Sequence, residues 1–344
     1  MTLIFFLTQG ATHSIALSDV NTLYSWGRGH AGQLGHGVLE DEETPREVEA
    51  LGATGIVEIC AGGSTTFSFD SEGWTYVMGE RVGASMLDQA SPEKLSWEGG
   101  DLFTTLEDTA NQSKGPGPFF AHGGRHTLVL TKTRELFTWG ANPGGQLGRP
   151  DGNVVEVPTR LPAFDRAIVR QLAAQGGHSA ALVNNGELLM FGENSTGQLG
   201  NGDGPNSHIP RPVAALEGVK IKVVSCAWAF TNAVTDSGEV WEWGYKGKGD
   251  YFKQLTPRVL EGITHVSMIV CGGRHTLALA RPGDDEELFS WGIGDDGQLG
   301  HGDLNDSPVP RRVEALRGKK VSQIAAGGRH SMVIAETPSR SPLP

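Results

Sequence analysis

Between residues 272 and 313 four short phrases follow one another. They are Gly272-Gly273-Arg274-His275-Thr276, Leu288-Phe289-Ser290-Trp291-Gly292, Gly297-Gln298-Leu299-Gly300 and Pro310-Arg311-Arg312-Val313. The first phrase recurs around His13, His126, His178 and His330, with weaker copies around Thr65 and Phe230. The second returns at Leu23–Gly27, Trp74–Gly79, Leu136–Gly140, Leu188–Gly192 and Val240–Gly244. The third returns at 32–35, 145–148 and 197–200, and a Pro-x-x-Val element such as Pro45-Arg46-Glu47-Val48 precedes the next unit. Anchors 13, 65, 126, 178, 230, 275 and 330 thus define a repeat of roughly 50 residues, the length scale of a propeller blade.

The pieces between the glycines have the length and β-rich composition of strands, and Asn185-Gly186 and Ser237-Gly238 mark tight hairpin turns. No segment sustains the 3.6-residue apolar period of an amphipathic helix. The sequence therefore predicts an all-β chain of four-stranded units, a β-propeller rather than a helical solenoid. An inner-strand element precedes each anchor, at Leu3–Leu7, Ile56–Cys60, Phe119–Ala121, Ile168–Ala173, Ile221–Cys226, Val266–Val270 and Val321–Ala325. The Trp-Gly strand occurs one time fewer. The expectation is a seven-bladed β-propeller whose last blade is incomplete, with six blades plus a terminal hairpin as the alternative. Either the ring closes imperfectly or the sequence starts inside a domain. One propeller domain is expected over 1–336, followed by a short disordered tail over 337–344.

Composition narrows the function classes. The chain of 344 residues carries 28 Lys+Arg against 40 Asp+Glu, a net charge of −12. An acidic surface repels phosphate at long range, so nucleic acid is an unlikely partner on charge grounds. The 49 glycines lack a three-residue period, and three cysteines do not make a disulfide scaffold in a chain this long. The apolar run Leu3-Ile4-Phe5-Phe6-Leu7 is too short for a secretory signal or a membrane span. These features predict a cytoplasmic or nucleocytoplasmic protein with reduced cysteines and no membrane contact.

Gly-Gly-x-His-Ser/Thr, Tyr-x-Trp-Gly and Gly-Gln-Leu-Gly, in register over roughly residues 3 to 335, resemble the regulator-of-chromosome-condensation repeat. The resemblance implies a seven-bladed propeller but no single activity, because function resides in surface sites rather than in the fold. Members include a guanine-nucleotide exchange factor for the Ran GTPase, a plant UV-B photoreceptor and many non-catalytic interaction platforms. The photoreceptor branch depends on stacked indoles in the anchor phrases of adjacent blades. Here only Trp228 fills that slot, with Gly177, Gly273 and Gly328 nearby in other blades. The exchange-factor branch uses a protruding wedge, for which the insertion from Gly79 to Phe120 is the candidate, although it matches no family phrase. The reading adopted is a non-catalytic protein-interaction platform without cofactor, with GTPase exchange and then UV-B perception as alternatives.

Candidate contact residues follow from the departures from the repeat. Arg125, Arg274 and Arg329 precede anchor histidines and should project to one face near the axis. Guanidinium forks suit carboxylates or phosphates, so they would attract an acidic partner segment. The blander alternative is pairing with acids of the ring itself. The fifth unit has lost Gly-Gln-Leu-Gly, and places Tyr245, Tyr251 and Phe252 beside Lys246, Lys248 and Lys253, next to Trp228. Exposed aromatics mixed with cations are typical of interface hot spots. Plain decay of the repeat and base stacking stand as alternatives. A homodimer through the incomplete blade is also conceivable.

The remaining candidates carry blander readings. The repeated histidines lie in different blades, so they cannot converge on one metal, and half-buried imidazoles bonded to a neighbouring strand are expected. Cys60, Cys226 and Cys271 are expected to share one packed inner-strand position beside Ala325 and Ala326. The acidic loops 40–43, 284–287 and 294–297 lack the ligand spacing of a calcium loop. No nucleophile elbow or phosphate-binding loop is present.

Overall fold

A computed structural model describes residues 4–72, 74–80, 89–95, 120–131, 134–245, 247, 253–281, 283 and 286–336. Among these residues the chain forms six four-stranded antiparallel sheets and a final two-stranded one. Each sheet is one blade, numbered 1 to 7 along the chain. The inner strands are Ile4–Gln9, Ile56–Gly62, Phe120–His122, Val169–Gln175, Ile221–Cys226, Val266–Cys271 and Lys320–Ala326. Each packs against the next, and the last packs against the first. Six complete blades and a terminal hairpin therefore surround one axis. Among the described residues blade 7 consists of Lys320–Ala326 and Ser331–Glu336.

The ring closes tightly despite that short blade. The Leu7 amide donates to Gln323 Oε1 at 3.0 Å, and the Gly328 amide to the Ala11 carbonyl at 3.1 Å. Gln323 has a structural twin in Gln171, because each follows a β-bulge at the same place on its inner strand. Gln171 Nε2 donates to the Val224 carbonyl at 2.8 Å, and its Oε1 accepts from the Val224 amide at 3.0 Å. One amide side chain thus satisfies both backbone groups of a residue in the neighbouring blade.

The Trp-Gly phrase is explained by its glycine. Gly27, Gly79, Gly140, Gly192, Gly244 and Gly292 all have φ between 101° and 111°, each at a register shift towards the outermost strand. A Cβ on Gly192 would lie 2.6 Å from the Gly177 carbonyl oxygen. Only glycine fits there without strain.

The preceding large side chain locks blade to blade. Met78, Phe191, Trp243 and Trp291 are fully buried, each among apolar residues of the blade before it. Trp243 packs with Leu199, Val213 and Leu216 of blade 4, and its Nε1 donates to the Gln198 carbonyl at 2.8 Å. The small residue closing Gly-Gln-Leu-Gly makes room for it, since a Cβ on Gly200 would come within 2.9 Å of the indole.

Candidate interaction face

The anchor histidines build a belt between blades. His13 Nε2 lies 2.7 Å from Thr66 Oγ1, His126 Nε2 2.8 Å from Ser179 Oγ, and His178 Nε2 2.9 Å from Thr231 Oγ1. His275 reaches Ser331 Oγ at 2.8 Å, and His330 reaches Ser14 Oγ at 3.0 Å across the closure. Thr66, Ser179, Thr231 and Ser331 in turn donate to the carbonyls of Gln33, Gln146, Gln198 and Gln298. Because those hydroxyl protons are committed, the imidazole Nε2–H must be the donor, and Nδ1 carries no proton. The histidines are more deeply buried than expected: His13, His126, His178 and His275 are at most 1% exposed. Burial pushes His13, His126 and His178 down to about 3 and His275 to about 4, so all are neutral. The glycine three residues before His13, His126, His275 and His330 is required because a Cβ there would collide with the ring.

One of the two degenerate anchors is compensated across blades. Thr65 replaces histidine in blade 2, and Thr127 Oγ1 meets His122 Nδ1 of its own blade at 2.8 Å instead. Phe230 replaces it in blade 5, and Asn232 Nδ2 donates to Thr276 Oγ1 at 3.0 Å. The belt is therefore structural. Among the described residues no three His, Cys, Asp or Glu side chains are placed to hold a metal.

The residues two before each anchor form an axial ring. Ala11, Gly63, Gly124, Gly176, Trp228, Gly273 and Gly328 touch in succession through their backbones. Gly176, rather than Gly177, is thus the counterpart of Trp228. A single indole stands on this ring, with 41% of Trp228 exposed, leaning on Gly273 of blade 6.

The three arginines all reach towards the preceding blade, but the structure does not gather them. Arg125 pairs with Glu80 at 3.1 Å in blades 3 and 2, and Arg329 with Asp296 at 3.6 Å in blades 7 and 6. Blades 1 and 2 separate Arg125 from Arg329. Arg274, half-buried, has no ion pair among the described residues, and its guanidinium lies over Gly247 of blade 5. The reason is positional. The residue after Trp-Gly donates its amide to the carbonyl of the residue before the anchor, as Glu80 does to Ser64 and Tyr245 to Ala229. Blade 5 therefore presents Tyr245 where blade 2 presents the glutamate that neutralises Arg125. Sequence reasoning missed this exchange, although aligning the residues after each Trp-Gly exposes it.

Of the fifth-unit loop, Tyr245 is half-buried, and Lys253 turns to blade 4, donating to the Ser195 carbonyl at 2.5 Å. Lys246, Lys248, Tyr251 and Phe252 lie outside the described residues, as do 81–88 and 96–119 of the insertion. Trp228, Arg274 and Tyr245 thus come together at the junction of blades 5 and 6.

Two smaller expectations change. Cys226 and Cys271 pair with Thr231 and Thr276, whereas Cys60 pairs with Phe67, one residue out of step. It therefore points to the other face of its strand. Burial pushes the Cys60 thiol up to about 12 and Cys226 well above its usual value. Two of the acidic loops are used for folding: in 40–43 Asp41 accepts from the Gly29 amide at 2.9 Å, and in 294–297 Gly294 donates its amide to Asp306 at 3.0 Å.

Residues 4–333 match the RCC1-like domain family. The chain is 32% identical over 350 residues to the ultraviolet-B receptor UVR8 of Arabidopsis thaliana, covering 97% of this chain and 75% of that protein. It is 33% identical to the mitochondrial RCC1 domain-containing protein RUG3 of Arabidopsis thaliana, covering 91% and 75%. The human E3 ubiquitin-protein ligase HERC2 is 30% identical, but only 7% of its length is covered. Among solved structures, human WBSCR16 superposes with a TM-score of 0.80 at 24% identity, covering 97% of this chain and 87% of that one. Prp20p of Saccharomyces cerevisiae gives 0.79 at 23%, covering 98% and 83%. The repeat phrases, the blade architecture and these likenesses agree, and the chain belongs to the RCC1-like domain family.

Proposed function

We propose that this chain is a non-catalytic protein-interaction platform whose contact surface is centred on Trp228, Arg274 and Tyr245. The observation that carries the reading is the exposed indole next to Arg274, which has no ion pair among the described residues and faces a blade with Tyr245 where blade 2 has Glu80. A guanidinium unpaired among the described residues, on a chain of net charge −12, favours a partner segment with a carboxylate next to an apolar group. The indole supplies the large, rigid contact area typical of a hot spot. Arg125 and Arg329, already paired, are secondary attractors for the same acidic segment.

The single Trp in the axial ring is why ultraviolet perception, the property of the relative UVR8, is not carried over. Guanine-nucleotide exchange on a Ran-like GTPase is the alternative of a different class. Affinity capture with the wild-type chain and with Trp228→Ala/Arg274→Gln tests the proposal. The expected outcome is a partner retained by the wild type and lost by the double variant at unchanged melting temperature. An identical set of captured proteins would contradict it. So would accelerated release of fluorescent nucleotide from a small GTPase that both forms stimulate equally.

A further inference from the structure

Blade 2 shows what an acid does at the position after Trp-Gly. The Glu80 amide donates to the Ser64 carbonyl at 2.9 Å, and its carboxylate holds Arg125 of the next blade at 3.1 Å. Blade 5 repeats the backbone half of this arrangement, with the Tyr245 amide donating to the Ala229 carbonyl at 2.8 Å. It also meets the same cation, since Arg274 precedes the anchor of blade 6 as Arg125 precedes that of blade 3. Only the acid is exchanged. The Arg274 guanidinium lies over Gly247, two residues beyond Tyr245, and has no ion pair among the described residues. The six residues that share this backbone bond are Arg28, Glu80, Ala141, Glu193, Tyr245 and Ile293. Among them Tyr245 alone carries a hydroxyl, the group that a modification turns into an anion.

We propose that Tyr245 is a phosphorylation site, and that its phosphate pairs with Arg274 and switches off the docking surface at the junction of blades 5 and 6. This inference rests on the proposed function, whose surface it regulates. The donor is a nucleoside triphosphate delivered by a protein-tyrosine kinase. The Tyr245 phenolic oxygen attacks the γ-phosphorus, and the bond from that phosphorus to the β–γ bridging oxygen breaks. The nucleoside diphosphate leaves, and the phenolic proton passes to the base of the kinase. The new group brings a charge of about −1.5 to −2 and three acceptor oxygens to the side of a guanidinium fork. A phosphotyrosine is longer than a glutamate, and the guanidinium to be met lies beyond Tyr245, over Gly247. Blade 5 would then carry the pair that Glu80 and Arg125 form permanently in blades 2 and 3. Two effects follow for an acidic partner segment. Arg274 is no longer available to its carboxylate, and the phosphate repels it.

The full chain with phosphotyrosine placed at 245 during translation is compared with the same chain carrying Arg274→Gln. In phosphorus NMR the phosphate of the first should titrate about one pH unit lower than that of the second. Equal titration would overturn the pairing, and this readout needs no partner. The wild-type chain, treated in its folded state with a broad-specificity protein-tyrosine kinase and ATP, should carry phosphate at Tyr245 in peptide mass spectra. A folded chain left unmodified there would overturn the site. Affinity capture reads the switch. Proteins that the unmodified chain retains and Trp228→Ala/Arg274→Gln loses should fall at least about tenfold on the phosphorylated chain. Tyr245→Phe should retain them with or without kinase treatment. Equal retention by the phosphorylated and unmodified chains would overturn the switch. An unmodified chain that retains no such protein would refute the proposed function and the switch with it, while the phosphate titration would still decide whether Tyr245 and Arg274 pair.

Discussion

The neutral imidazoles of the belt make stability depend on pH in one direction. His13, His126 and His178 have folded values near 3 against an ordinary 6.5, with desolvation the leading cause. They therefore take up protons only on unfolding. Their contribution is fully present above 6.5 and is lost as pH falls towards 3. Well below 6.5 each such group removes about 1.4 kcal/mol per pH unit. Thermal melts should show a midpoint that is flat from pH 7 to 8 and drops by many degrees between pH 6.5 and 4.5. A midpoint unchanged across the acid range would mean that the histidines ionise in place. The same residues show what a repeat conceals from sequence reading. Their places in different blades argued against a shared metal, yet did not reveal that each ring serves a hydroxyl in the next blade. That pairing depends on side chains about 50 residues apart, and periodicity alone does not connect them.

At the scale of the element, strand order and blade boundaries were legible because glycine is obligatory at recurring places. The positive φ at each Trp-Gly bulge and the imidazole packed against the glycine three residues before four of the histidines both leave a mark in the sequence. Gln171 left no such mark, since Glu58 and Gln323 occupy the same bulge position in other blades and the column looks variable. Its two bonds to Val224 nevertheless bridge blades 4 and 5. Gln171→Leu should destabilise the chain by about 1–3 kcal/mol, because it leaves a buried amide and carbonyl unpaired. Urea unfolding would measure this loss, and a change below a few tenths of a kcal/mol would show the clasp to be dispensable. The exchange of Glu80 for Tyr245 was hidden for a related reason. Aligning the residues after each Trp-Gly exposes it, since Glu80 and Tyr245 both donate their amides to the residue before the anchor.

For the molecule as a whole, fold and function separate cleanly. Inter-blade pockets, the histidine belt and the axial backbone ring account for nearly every phrase of the repeat, and so those phrases carry no specific activity. What remains for recognition is where a blade departs from its siblings. Blade 5 does so by losing both its anchor histidine and its Gly-Gln-Leu-Gly loop. The central claim places partner contact at the junction of blades 5 and 6. Hydrogen–deuterium exchange of the chain with and without its captured partner tests this most directly. The account predicts new protection concentrated in 226–231, 244–247 and 272–275, with the outer strands unchanged. Protection confined to the outer strands, with the axial residues unaffected, would contradict it.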